Sequence, residues 1–120
     1  MLAWDSIAEF GKTLPDVEDS TWEGAPALKV NGKVLAHLRT EDDVLVIVCT
    51  PGEKEAQLSS GDPAMFTEPQ YDGYGVILVR LEQYSFITDL EELLTEAWRI
   101  TLEQTKTEPP DDDASDIITE

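Results

Sequence analysis

The sequence predicts one α+β domain, a two-layer sandwich with an antiparallel sheet and helices packed on one face. Three observations carry this. Helix-like and strand-like patterns succeed one another in the order helix, strands, helix, strands, helix. Asn31-Gly32 separates two alternating apolar runs, the strongest short-range signal of a β-hairpin. Leu90, Leu93, Leu94, Ala97, Trp98 and Thr101 recur at helical spacing and make one buried stripe.

Taken in order, a first helix is expected from Asp5 to Leu14, with Trp4, Ile7, Ala8, Gly11 and Leu14 recurring at helical spacing and Pro15 as the stop. A polar connection from Asp16 leads into a short strand around Ser20 to Glu23. Ala27 to Val30 and Lys33 to Thr40 form the hairpin, in one of two registers. A two-residue turn pairs Val30 with Lys33 and puts Leu28, Val30, Leu35, His37 and Arg39 on one face. A three-residue loop pairs Lys29 with Lys33, collecting Leu28, Val30, Val34, Ala36 and Leu38 and leaving Lys29, Lys33, His37 and Arg39 opposite. Register follows the cleaner apolar set, so the second is expected.

Glu41-Asp42-Asp43 reads as a polar turn, and Val44 to Cys49, apolar on both faces, as a central strand. Thr50-Pro51-Gly52-Glu53 is a capping box with proline at the first helical position, opening a helix to about Ser59. Met65-Phe66-Thr67 suits a short strand, Pro69 to Gly73 a turn, and Gly75 to Leu81 a strand. Thr88-Asp89-Leu90-Glu91 reads as a second capping box, with the helix behind it running to about Gln104.

From Lys106 the composition changes to Pro109-Pro110 and Asp111-Asp112-Asp113, so the domain is expected over residues 1–105 and an acidic disordered tail over 106–120. The whole chain of 120 residues carries −18, of which residues 1–105 hold −13. Charge of that size repels polyanions, nucleic acid and anionic lipid included. Cys49 is the only cysteine, which excludes an intrachain disulfide. With no leader pattern and no apolar run beyond strand length, a cytoplasmic protein without membrane association is expected.

The run from Leu14 to Glu18, Trp22-Glu23-Gly24, Leu28 to Lys33, Tyr71 to Tyr74, Val76 to Leu81 and Glu96 to Arg99 together resemble the MmcQ/YjbR family, over about Trp4 to Glu103. The resemblance implies a curved antiparallel sheet backed by helices, similar to secretion chaperones. It also implies the family's nominal label, DNA-binding protein. Many members carry histidine where this chain has Gln70.

Lys29, Lys33, His37, Arg39 and Arg80 are the residues that could form a basic face. Trp22, Tyr71, Tyr74 and Trp98 are the aromatics that could line a pocket or binding surface, with Trp98 expected in the core and Tyr71 and Tyr74 as contact anchors. Nothing else carries chemistry. Cys49 with His37 is the only pair suggestive of nucleophilic catalysis, and burial is the expected role of Cys49. Glu41, Asp42 and Asp43 diverge as consecutive side chains and do not converge on a cation. Gly73-Tyr74-Gly75 lacks the spacing of a phosphate loop. The expected function is a non-catalytic binding module with no cofactor and no metal. Its partner is DNA by family label, which the charge opposes, or another protein that suits an acidic, chaperone-like module.

Overall fold

Two left-handed dipeptides build the first half of the sheet. In the computed structural model, which describes residues 2–71 and 73–107, Glu23 and Gly24 have φ of 51° and 83°, and Asn31 and Gly32 of 52° and 83°. Positive φ at both central positions is the type I′ turn, whose twist matches that of paired strands. These turns join β1 (Val17–Trp22), β2 (Ala25–Val30) and β3 (Lys33–Arg39) into a meander. Trp22 faces Ala25 across the first turn and Val30 faces Lys33 across the second. The Asn-Gly turn was legible; Glu23-Gly24 does the same work with a residue less suited to positive φ.

The second turn corrects the expected register. Val30 pairs with Lys33 and Lys29 with Val34, which is the two-residue arrangement. The pairing then shifts, so that Leu28 faces Ala36 and Ala27 faces His37, leaving Leu35 as the extra residue of a β-bulge. The bulge reconciles two demands. Asn-Gly fixes the turn, and the core needs Leu28, Val30, Ala36 and Leu38 on one side. Val34, expected with them, pairs instead with Lys29 on the opposite side. Lys33 sits opposite Val30 rather than Lys29.

β4 (Val44–Val48) pairs with β3 and with β6 (Val76–Arg80), and β5 (Met65–Phe66) pairs with β6 at the edge. The sheet is six-stranded and antiparallel in the order β1-β2-β3-β4-β6-β5. Its inner face meets α1 (Trp4–Gly11) and α3 (Glu91–Thr107) in one apolar cluster around Ile7, Leu28, Leu45, Ile47, Ile77, Leu90 and Leu94. Gly11 lets α1 approach β2 closely, since a Cβ there would lie 2.6 Å from Leu28 Cδ1. α2 (Pro51–Ser59) begins at the expected capping box: Glu53 N–H donates to Thr50 Oγ1, and Thr50 N–H donates to the Glu53 carboxylate. The outer face has a smaller cluster of Val44, Val46 and Leu78 beneath Phe66, Tyr71 and Val76.

Several boundaries move. α1 stops at Gly11, because Thr13 and Leu14 turn back onto the Phe10 and Gly11 carbonyls. β1 starts at Val17, three residues earlier than expected. The second capping box does not form: Thr88 lies within a 3₁₀ turn over Ile87–Asp89, and α3 begins only at Glu91. Lys106 and Thr107 belong to α3, while the rest of the expected tail, residues 108–120, lies outside the described residues. Among the described residues no helix is long and apolar enough to cross a membrane.

Two glycines with open space around them separate backbone strain from packing. Gly32 holds φ +83°, whereas Gly52 lies in the first turn of α2 without a positive φ. Gly32→Ala should lower unfolding free energy by about 1–2 kcal/mol, and Gly52→Ala should raise it by about 0.5 kcal/mol. Urea denaturation of both variants checks the pair; equal effects would contradict the turn geometry.

Candidate binding face

On the outer face the bulge decides what is displayed. Beyond Leu35 the alternation brings His37 beside Val46 and Arg39 beside Val44, away from the helices. A groove of about 690 Å³ opens there, lined by Trp22, Lys29, Gly32, Lys33, Val34, Leu35, His37, Val46, Val48, Gln70, Tyr71, Tyr74 and Val76. None of these described lining residues is acidic. A second hollow of about 420 Å³ continues it past Arg39 and Thr40 and shares Trp22, His37, Gln70 and Tyr71 with it. That end carries Glu23 and Glu41.

Aromatic side chains form the walls. Trp22, at the end of β1, places its ring 4.6 Å from that of His37, tilted by 39°. Trp22 keeps 41% of its surface exposed and Tyr74 65%. The loop bearing Tyr71 and Tyr74 is held from α2, where Lys54 Nζ donates to the Tyr71 carbonyl at 3.1 Å and to the Tyr74 carbonyl at 2.9 Å. Tyr74 N–H donates to the Tyr71 carbonyl at 3.1 Å, closing the loop. Gly75 is required beside it, since a Cβ there would stand 2.9 Å from the Cys49 carbonyl oxygen.

His37 Nδ1 is buried without a hydrogen-bond partner. Burial pushes the imidazole pKa down; Glu23 opposes this and Arg39 adds to it. His37 is therefore neutral at neutral pH and presents a polar but uncharged centre to the groove.

The five basic candidates do not form a stripe. Arg39 is held by two carboxylates: Nε and Nη2 donate to Asp42 at 3.0 and 2.7 Å, and Nη1 and Nη2 donate to Glu68 at 2.8 and 3.0 Å. Its guanidinium lowers the pKa of both carboxyls and is itself held more firmly charged. Arg80 donates to the Pro63 carbonyl at 2.7 Å and stacks 3.9 Å above the Phe66 ring. Val44 separates the two arginines in the strand register. Lys29 and Lys33 stand at the opposite end of the groove, with neutral His37 between.

Other candidates fall elsewhere. Cys49 lies in the inner core, on the other side of the sheet from His37, and burial pushes its thiol pKa up to about 11. Glu41, Asp42 and Asp43 are exposed, and no group of acids, histidines or cysteines among the described residues could hold a metal. Trp98 joins the core from α3 and donates to the Pro15 carbonyl at 2.9 Å. Sequence reasoning did not assign Gly32, Val34, Leu35, Val46, Val48, Gln70 and Val76 to the site. The apolar character of β4 on both faces was the available signal for Val46 and Val48. No sequence signal marked Lys54 as the clamp.

Residues 12–100 match the family model described as YjbR. Three mycobacterial relatives, each described as an uncharacterized protein, are 33% identical over 114 residues, covering 82% of this chain and 87% of theirs. They are Mb2600 of Mycobacterium bovis, and MT2646 and Rv2570 of two Mycobacterium tuberculosis strains.

Two titrations test the electrostatics of this face. In Arg39→Gln, the Asp42 and Glu68 carboxyls should titrate at ordinary values by carboxyl NMR, instead of below them. Their bridges support the fold at neutral pH and lose that contribution as pH falls through the depressed folded values; unchanged titration would mean the bridges are not formed. The His37 effect lies higher in pH. The unfolded chain binds a proton near the ordinary imidazole value of about 6.5 while the folded chain resists it, so stability should fall as pH drops through that value. His37→Gln should flatten thermal stability between about pH 7.5 and about pH 5.5; an unaltered slope would remove His37 as its cause.

Proposed function

Since this chain belongs to the YjbR family, and the matched residues include every one lining the groove, we propose that the groove is the functional site of a non-catalytic binding module. It takes a protein partner, in an extended segment laid across the outer sheet face. The observation that carries this reading is that no acid lies among the described residues lining the larger hollow. In a chain of −18 the described lining of this groove carries no carboxylate, while aromatic rings stand at its rim. Half-exposed Trp and Tyr beside a valine floor are the anchors that protein segments use, because such rings bury large area with few rotatable bonds.

Charge weighs against the family's DNA-binding label. Affinity for duplex DNA grows with the number of phosphates neutralised by Lys and Arg. Arg39 and Arg80 already have protein partners on this face. Long-range repulsion from −13 in residues 1–105 acts before any contact forms.

The expected outcome is that extended peptides selected against the full chain bind it and lose at least tenfold in affinity, about 1.4 kcal/mol, on Trp22→Ala. Duplex DNA should give no saturable binding between about 20 and about 200 mM salt. Saturable DNA binding that weakens steeply with salt, or peptide binding indifferent to Trp22→Ala, would overturn the reading.

A further inference from the structure

The two hollows on the outer face differ in charge, and that difference specifies the occupant. At the hairpin end the groove is bordered by Lys29; among the described residues Lys29 has no hydrogen-bond or ion-pair partner and the lining holds no acid. At the far end Glu23 and Glu41 border the continuation, and the one arginine there, Arg39, is neutralised by Asp42 and Glu68. Between the ends lie Trp22, neutral His37 and Tyr71, common to both hollows. The groove follows β3, whose seven residues span roughly 20 Å at strand rise. That is the length of about six extended residues.

We propose that the occupant is an extended partner segment of mixed polarity, with a carboxylate at the Lys29 end, apolar side chains in the middle, and a cationic group at the Glu23–Glu41 end. This rests on the groove being the binding site and adds the chemistry of what fills it. Length argues for a segment rather than a compact small molecule, because only an elongated ligand reaches both charged ends. Charge complementarity fixes its orientation: reversing it would set a carboxylate against Glu23 and Glu41 and a cation against Lys29. An apolar middle is required because the ring pair and valine floor offer no charge, and burying an unpaired ion there is unfavourable.

Three capped hexapeptides test this on the full chain by NMR, read at the Trp22 indole, His37 and the Val46 and Val76 methyls. All have four aliphatic residues in the middle; one has lysine and aspartate at its two ends, one aspartate at both, one lysine at both. The mixed peptide should shift these signals and bind at least tenfold tighter than either like-charged peptide. Glu41→Lys should restore the doubly acidic peptide, and Lys29→Glu the doubly basic one. Equal affinities at the groove, or no rescue by the charge reversals, would overturn the polarity while leaving the groove as a binding site. Groove signals unmoved by every peptide would overturn both. Shifts that grow with protein concentration in the absence of peptide would give the face to a second copy of the chain and overturn the proposal.

Discussion

The Asn31-Gly32 turn fixes Val30 opposite Lys33, the core requires Leu28 opposite Ala36, and Leu35 absorbs the one-residue difference. Each demand is strong for a separate reason. The turn is held by two residues whose positive φ only a few side chains tolerate. The core is held by Leu28, Ala36, Leu45, Ile47 and Ile77, all at 1% exposure or less. Without the bulge, the turn's register would carry Leu28, Val30, His37 and Arg39 to the same side. His37 and Arg39 would then lie on the helix side of the sheet. The bulge keeps cations out of the core, and the same displacement supplies the outer face with its polar residues.

That face remains a groove because it is supported from two directions. Val34, Val46, Val48 and Val76 give it an apolar floor that belongs to the sheet itself. Lys54 reaches across from α2 to hold the carbonyls of the loop that carries Tyr71 and Tyr74. A lysine so used is a structural clamp, in which its ammonium satisfies two carbonyl acceptors and no longer serves as free surface charge. Arg39 behaves similarly, fastening the β3–β4 turn through Asp42 to the segment after β5 through Glu68. Much of the scarce positive charge therefore holds elements together, and little is left for a polyanion.

Sheet, helices and most element positions were legible because periodicity and turn chemistry are local. Asn31-Gly32, the Thr50 capping box and the two-sided run from Val44 each stand where their pattern points. The register was not legible, because the conflict between turn and core is settled by a bulge that no single residue type announces. The Thr88 box failed for a related reason: Leu90 is fully buried under the sheet, and this packing draws Ile87–Asp89 into a tighter turn before the helix starts. At the site, the residue types were legible but their engagement was not. Arg39 and Arg80 look alike in sequence to Lys29; only tertiary placement puts Asp42 and Glu68 against one, and Pro63 and Phe66 against the other.

An acidic chain with an apolar open face needs some device against indiscriminate self-association. Here the described acids are set around the groove and not in its lining. Glu18 and Asp19 stand exposed on β1, the outermost strand, where charge discourages another strand from pairing. Glu41, Asp42 and Asp43 occupy the β3–β4 turn, and Glu23 the β1–β2 turn. Like charge at these rims repels a second copy approaching flat, edge to edge or face to face. A narrow segment carrying its own positive end meets no such barrier. The distribution that makes the sheet unattractive to its own kind thereby makes the groove selective, and acidity of the whole chain and absence of acid among the groove's described lining residues are two parts of one arrangement.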